Sequence, residues 1–124
     1  MLEVSRTERL AAGVVRTPRL LLVESEVDIL EGFAYALEDF GFYILAARDV
    51  TMGRCLAHGA PDVAIVDICA CGAAAFAREL WRSGIPVVTL GCNEPSGDAW
   101  QHLRKPVTVR DLRDALHAAA RVER

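Results

Sequence analysis

The sequence has few aromatic residues, no long apolar run and no excess of positive charge. Aromatic side chains make up 6% of the 124 residues, and no stretch approaches the ~20 apolar residues that a membrane helix needs. The N-terminal stretch carries Glu3, Arg6 and Glu8 and lacks the apolar core of a signal peptide. We therefore expect a cytoplasmic protein that does not enter a membrane.

The charge balance and the chain length limit the function further. A net charge of −3 and a pI near 5.6 provide no basic surface for nucleic acid. A chain of 124 residues, 52% of them hydrophobic, suffices for one domain with a real core but not for two. We expect a single domain without a fused output domain and without direct DNA binding.

Hydrophobic patterning predicts strands that alternate with helices. Residues 20–23 and 63–66 are continuous apolar runs closed by polar residues, as in strands buried on both faces. Gly41 is placed to end the first helix, and Thr108 is placed to cap the last one. The predicted strands are residues 20–23, 42–46, 62–66, 86–90 and 99–103, and the predicted helices are 27–40, a short one through 56, 73–81 and 109 to about 121.

This alternation predicts a doubly wound α/β fold. Right-handed crossovers place helices on both faces of five parallel strands, which gives a three-layer α/β/α sandwich. Asp49 or Thr51 is expected to cap the short second helix. Residues 91–98 contain too little apolar material for a helix of ordinary length, so a loop or a single turn is expected. Residues 1–18 have no sustained period and should form a flexible arm before a domain at 19–124.

Three charged residues follow strands of the predicted sheet. Glu24 comes after the first strand, Asp67 after the third and Lys105 after the fifth. Because the carboxyl ends of parallel strands meet at one edge, these side chains should lie close together. Two carboxylates and an ammonium suit a divalent cation and a phosphoryl group. The structural alternative for Asp67 is a plain helix-capping role.

With these residues the chain resembles the receiver domain of bacterial response regulators. The resemblance rests on residues 21–26 (LLVESE), on residues 63–68 (VAIVDI) and on Lys105-Pro106, and it covers roughly residues 19–124. It implies a flavodoxin-like order of the five parallel strands. It also implies a signalling domain rather than an enzyme.

The resemblance assigns roles to individual residues. It implies that Asp67 is the phosphoacceptor and that Lys105 contacts the phosphoryl group. It implies that Glu24, Asp67 and the backbone carbonyl of Cys69 are the ligands of Mg²⁺. His102 falls at the position of an aromatic switch residue, and Gly91 falls at the second switch position.

The departures from the family pattern matter for function. Ser25 stands where the family usually has a second acidic residue, so Mg²⁺ should bind weakly or not at all. Gly91 stands where a Ser or Thr hydroxyl usually bonds the phosphoryl group, and such a bond is worth roughly 1.5–3 kcal/mol. Thr89 should point to the same side as Gly91 but deeper. The segment between Gly91 and Lys105 is shorter than usual, so the fourth helix should be shortened or missing.

These features predict an atypical single-domain receiver in a two-component phosphorelay. Phosphorylation of Asp67 should be impaired by Ser25 and Gly91. The expected partner is a histidine kinase, a phosphotransferase or another signalling protein. The last helix, the fifth strand and the loop before it should carry that contact, with Arg110 and Arg113 in it, and the same surface could form a homodimer.

Three alternatives remain open at this point. The first is a pseudo-receiver that acts as an interaction module without phosphorylation. The second is a thiol or metal sensor, since Cys69, Cys71 and Cys92 fall on loops at one predicted sheet edge; free cysteines that serve as apolar filler explain them more simply. The third, a nucleotide-binding flavodoxin-like protein, is disfavoured because no loop has a glycine-rich phosphate cradle.

Overall fold

The fold is a five-stranded sheet with helices on both faces. A computed structural model describes residues 17–93 and 100–120 of the chain. The described residues contain four α-helices, the number that the sequence predicts apart from a shortened or missing fourth crossover helix. In chain order the elements are β1 (Arg19–Val23), α1 (Val27–Asp39), β2 (Tyr43–Ala47), α2 (Val50–Leu56), a 3-10 turn (Ala57–Gly59), β3 (Val63–Asp67), α3 (Ala73–Arg82), β4 (Val87–Gly91), β5 (Gln101–Arg104) and α4 (Val109–Ala120).

The sheet is parallel throughout, in the order β2-β1-β3-β4-β5. This is the flavodoxin-like order predicted above, with the change in winding direction between β1 and β3. In such sheets the crevice outside the carboxyl ends of the strands is where ligands bind. The order therefore places the ends of β1 and β3, and the residues that follow them, beside that crevice.

Alternate residues of the strands pack against different pairs of helices. Leu22 and Ile65 belong to the core between the sheet and helices α1 and α4. Val23 and Val66 belong to the core on the opposite face, against α2 and α3. Because successive side chains of a strand point to opposite faces, continuous apolar runs are needed here. The three-layer prediction is thus confirmed.

The residues predicted to cap or end the helices lie at the helix ends in the structure. Gly41 has φ +98° directly after the C-cap of α1, a conformation that glycine adopts without strain. Of the two predicted caps of α2, Asp49 is the one used: its Oδ1 accepts a hydrogen bond of 2.7 Å from Met52 N–H. Thr108 Oγ1 accepts from Asp111 N–H at 3.1 Å, which caps α4 as predicted.

Several predicted boundaries shift by one or two residues. The fifth strand was predicted at 99–103 but runs over Gln101–Arg104, because its extent follows its pairing with β4 rather than its own apolar pattern. Strand β2 also begins one residue later than predicted, and β3 includes Asp67 itself. Edge strands carry little periodicity of their own, which is why their ends are hard to place from sequence.

Some predictions fall on residues that are not described. Of the predicted arm at 1–18, residues 1–16 lie outside the described residues, while the Pro18 carbonyl accepts a hydrogen bond of 2.9 Å from Tyr43 N–H. Most of the predicted loop at 91–98 and the end of the last helix also lie outside them. Within residues 17–93 and 100–120, no helix has both the length and the hydropathy to cross a membrane.

Candidate functional site

Three charged side chains meet at the carboxyl edge of the sheet. Glu24 is in phase with Leu22, Asp67 is in phase with Ile65, and Lys105 is in phase with Leu103, so all three point to the α1 and α4 side. Lys105 Nζ lies 2.8 Å from Asp67 Oδ2. The structure therefore brings together the three residues singled out from the sequence, although their chemical roles stay predictions.

Asp67 is a buried carboxylate with a partner at each oxygen. It is 1% exposed; its Oδ1 accepts from Cys69 N–H at 2.9 Å and its Oδ2 accepts from Lys105. Burial alone would raise the pKa of Asp67, but the contacts with Glu24, Lys105 and the Cys69 N–H outweigh burial and lower it. Asp67 is thus ionised near neutral pH, the form in which a carboxylate is a nucleophile.

Glu24 is buried without adequate partners. It is 0% exposed; its Oε2 accepts from Glu26 N–H at 3.3 Å, and its Oε1 has no hydrogen-bond partner among the described residues. Burial, followed by the Asp67 carboxyl beside it, raises the pKa of Glu24 to about 7. A buried carboxyl of this kind needs either a proton or an added cation.

Lys105 is held from its backbone and from its side chain. Its N–H donates to the Gly91 carbonyl at 2.9 Å, which extends the ladder between β4 and β5. Burial opposes the charge of its ammonium, but the carboxylates of Asp67 and Glu24 more than compensate and raise its pKa. Lys105 is also the only lysine in the sequence, whose other basic side chains are arginines. That composition is a further signal in the sequence that Lys105 has a special role.

A cavity of about 650 Å³ opens beside Glu24 and Lys105. It lies on the side of α1 and α4, and its walls are mainly apolar. The apolar lining includes Ile29, Phe33, Leu90 and Val107. The cavity gives the carboxylate edge an open approach from this side.

The residues that could hold Mg²⁺ are oxygen donors of the predicted kind but few in number. Glu24 and Asp67 supply carboxylates, and Cys69, two residues after Asp67, supplies a backbone carbonyl. Ser25 supplies no negative charge. No group of three or more His, Cys, Asp or Glu side chains suited to a metal occurs in the described part of the chain. The unpartnered Glu24 Oε1 fits a cation at this place. The donor set therefore fits a weak Mg²⁺ site, since Mg²⁺ is held by one or two carboxylates with several waters.

Gly91, which the resemblance assigns to a switch position, has no room for a side chain. A Cβ added to Gly91 would lie 2.9 Å from Ile68 Cγ1 and 3.2 Å from His102 Cε1. Contacts under 3.0 Å require neighbouring atoms to shift. Ile68 and His102 thus occupy the space into which a hydroxyl-bearing residue would project.

His102 is fixed in a chain of hydrogen bonds. Its Nε2 lies 2.8 Å from the Asn93 carbonyl, which only accepts, so Nε2 carries the hydrogen. Its Nδ1 lies 2.7 Å from Thr89 Oγ1, and Trp100 Nε1–H donates to the same Oγ1 at 3.1 Å. Both ring nitrogens of His102 are therefore paired, Nε2 with the Asn93 carbonyl and Nδ1 with the Thr89 hydroxyl. The direction of Thr89 is as the sequence predicts, whereas its bonds to His102 and Trp100 carry no signal in the sequence.

Solved structures similar to this chain are receiver domains. A response regulator receiver domain protein from Clostridium thermocellum is 28% identical, with a TM-score of 0.70 over 82% of this chain and 93% of the other. A response regulator receiver protein from Sinorhizobium medicae is 24% identical, with a TM-score of 0.70 over 84% and 94%. A receiver domain protein from Methanospirillum hungatei is 20% identical, with a TM-score of 0.72 over 83% and 93%.

Other comparisons give no match. No protein-family model matches the chain. No curated protein matches it significantly. The structural matches nevertheless span most of both chains in each pair and share the fold of this chain. The match at 28% identity confirms the resemblance to a receiver domain that the sequence indicated.

Proposed function

We propose that this receiver domain accepts a phosphoryl group on Asp67 within a two-component phosphorelay and signals by protein contact. One observation carries the proposal: Asp67 is an ionised carboxylate at the crevice edge, with the ammonium of Lys105 2.8 Å from its Oδ2. A catalytic apparatus of this kind needs positioning and charge neutralisation, since phosphoryl transfer requires little else from the protein. The domain then acts as a signalling module rather than as an enzyme.

The transfer would proceed by attack of an Asp67 oxygen on phosphorus. The donor is a phosphohistidine of a kinase or phosphotransferase, or a small acyl phosphate; its P–N or P–O bond breaks and the leaving group departs with the bonding electrons. Asp67 is 1% exposed, and the Lys105 side chain that covers its Oδ2 is 26% exposed. Lys105 must therefore swing toward the incoming phosphoryl oxygens, where its charge stabilises the transition state.

Mg²⁺ is the cofactor proposed for this step. Glu24, Asp67 and the Cys69 carbonyl would hold it, and the ion would neutralise phosphoryl charge. Binding is weak because Ser25 replaces a carboxylate. Glu24 Oε1, which is buried without a partner, is the support for this assignment in the structure.

The partner surface proposed for the domain includes α4 and β5. Strand β5 forms one edge of the sheet, and Arg110 and Arg113 are exposed on α4. A histidine kinase or a phosphotransferase would also approach the carboxylate edge, where the cavity of about 650 Å³ opens between α1 and α4. A homodimer through the same helix and strand is compatible with their exposure.

The decisive test of the phosphoacceptor is Asp67→Asn. We expect wild-type protein incubated with Mg²⁺ and a small acyl phosphate to gain the mass of one phosphoryl group, and we expect the Asp67→Asn protein to gain none, because the amide is not a nucleophile here. Intact mass spectrometry is the measurement. Asp39→Asn, at the exposed end of α1, serves as the matched control and should be phosphorylated like wild type. A wild-type mass that stays unchanged at saturating donor and Mg²⁺ would refute the proposal.

A second candidate, a pseudo-receiver that does not transmit phosphorylation, is favoured by the packing of the switch positions. Gly91 offers no hydroxyl, and Ile68 fills the space beside it. The His102 ring is bonded at both nitrogens and so is not free to reorient. In this candidate Asp67 can react while α4 and β5 stay unchanged. Amide spectra of the protein with beryllofluoride separate the two candidates, since only a working receiver shifts signals in α4 and β5.

The packing at Gly91 makes a separate prediction. We expect Gly91→Ser to lower the free energy of unfolding by about 1–3 kcal/mol, because the new Cβ collides with Ile68. Urea denaturation measures the loss. In an Ile68→Ala background most of the loss should disappear, with a coupling of about 0.5–3 kcal/mol. Gly32→Ser is the control, since nothing lies within 4 Å of a Cβ at Gly32. Equal losses for Gly91→Ser in both backgrounds would show that Ile68 does not fill this space.

A further inference from the structure

Two cysteines follow neighbouring strands of the sheet, close to Asp67. Strand β3 pairs with β4 with Asp67 opposite Leu90. Ile68 N–H donates to the Leu90 carbonyl at 2.9 Å, which completes this last pair of the ladder, and residues 68 and 69 then lie in a turn. Cys69 and Cys92 each stand two residues beyond the pair of Asp67 and Leu90. Neighbouring strands lie about 4.8 Å apart and disulfides allow a Cα separation of about 4.4–6.8 Å, so the two segments leave the sheet at a separation that a disulfide can span.

The contacts of the Cys69 thiol agree with this placement. The sulfur of Cys69 interacts with the backbone N–H and with the thiol of Cys92. It also lies within electrostatic range of Asp67 and Lys105. Both cysteines are free and exposed, so an oxidant in solution can reach them.

We propose that Cys69 and Cys92 form a reversible disulfide that closes the phosphoryl site around Asp67. The consequence for Asp67 rests on the function proposed above, whereas the disulfide itself does not. The pair is a modification site, distinct from the carboxylates and lysine that handle the phosphoryl group. Cys71 and Cys55 are not part of it.

The oxidation balances with a peroxide as the named oxidant. The Cys92 sulfur attacks one peroxide oxygen and the O–O bond breaks, which gives a sulfenic acid and one water from hydrogen peroxide. The Cys69 sulfur then attacks the sulfenic sulfur, the S–O bond breaks and a second water leaves, so two thiols and one peroxide become one disulfide and two waters. A dithiol reductant reverses the reaction by exchange.

The disulfide would act on Asp67 through the backbone on both sides of it. Cys69 N–H donates to Asp67 Oδ1, and the Gly91 carbonyl, next to Cys92, accepts from Lys105 N–H. A link between Cys69 and Cys92 ties these two segments together at the edge of the crevice. The link thereby restricts the backbone movement that is needed to accommodate a phosphoryl group on Asp67 and a cation at the Cys69 carbonyl. Oxidised protein should accept phosphoryl groups more slowly than reduced protein.

The first experiment tests the bond without reference to phosphorylation. Full-length protein is treated with hydrogen peroxide, and free thiols, intact mass and disulfide-linked peptides are measured before and after a dithiol reductant. We expect the loss of two thiols and of two hydrogen atoms, with Cys69 linked to Cys92 and full reversal on reduction. Cys71→Ser and Cys55→Ser should behave like wild type, while Cys69→Ser and Cys92→Ser should form no internal disulfide. A link that involves Cys71, or no internal link in wild type, would overturn the proposal.

The second experiment tests the consequence for Asp67. Reduced and oxidised wild type are compared for phosphorylation by a small acyl phosphate with Mg²⁺. We expect uptake at least tenfold slower in the oxidised protein, with no change on peroxide treatment of Cys92→Ser. Equal rates of phosphorylation before and after formation of the disulfide would show that the disulfide does not close the site. If reduced wild type takes up no phosphoryl group, the proposed function fails, while the mapped disulfide is judged by the first experiment alone.

Discussion

Lys105→Met is expected to lower the free energy of unfolding by about 2–4 kcal/mol at pH 8, because it leaves two buried carboxylates without their cation. Asp67 Oδ2 loses its partner at 2.8 Å, and Glu24 loses the only ammonium near it among the described residues. Phosphorylation of Asp67 should fall by about 10²-fold or more, since the group that stabilises transition-state charge is gone. Urea denaturation and the rate of mass gain with an acyl phosphate are the two measurements.

The pH dependence identifies the cause of this loss. In wild type the folded-state pKa of Asp67 is lowered, so its ionisation contributes stability above its ordinary pKa of 3.8, and that stability disappears as pH falls through the lowered value. Without Lys105 the contribution is absent, so the difference between wild type and variant should be largest above about pH 5 and should shrink in acid. Arg104→Met, an exposed neighbour, is the control and should cost little. A Lys105→Met loss that does not change with pH would mean that packing, rather than charge, is responsible.

Glu24→Gln is expected to stabilise the protein in alkaline solution. The pKa of Glu24 is raised from 4.5 to about 7 in the folded state, so the fold prefers its neutral form. Its contribution to stability is fully present below pH 4.5 and is lost as pH rises through about 7. By pH 8–9 the buried charge opposes folding by about 3 kcal/mol at most, and the neutral amide of glutamine removes that cost.

The measurement is a series of urea denaturation curves from pH 4.5 to 9 in the presence of a chelator. We expect Glu24→Gln to equal wild type near pH 4.5 and to exceed it by about 1–3 kcal/mol at pH 8–9. Glu26→Gln, an exposed carboxylate two residues away, should follow wild type across the series. Added Mg²⁺ should narrow this difference in stability, since only wild type has the Glu24 carboxylate to bind the cation. A gap that is constant across this range would contradict a raised pKa of Glu24.

Sequence reasoning succeeded where the signal was local or repeated. The runs around Leu22 and Ile65 could only be strands buried on both faces, and alternation with helices then required a parallel sheet. Glu24, Asp67 and Lys105 were found because each follows a strand, and parallel strands end at one edge. Weaker periodicity in β5 left its bounds uncertain by one or two residues.

Sequence reasoning failed where a residue's properties depend on distant neighbours. Gly91 was interpreted as the loss of a hydroxyl, but Ile68 and His102 also fill the space beside it. Thr89 and Trp100 carry no motif, and the bonds of the Thr89 hydroxyl to Trp100 and to His102 appear only when β4 and β5 are paired. The three cysteines suggested a cluster, and the pairing of β3 with β4 brings the segments that carry Cys69 and Cys92 side by side.

The chain alone determined which residues lie inside, how the layers alternate and which charges end up on the crevice edge, because hydropathy, capping and strand polarity act over short stretches. Tertiary structure decided how those charges share protons and which partners the two ring nitrogens of His102 bond. Those properties depend on separations of a few ångströms between residues from different strands, and on burial that no single segment specifies.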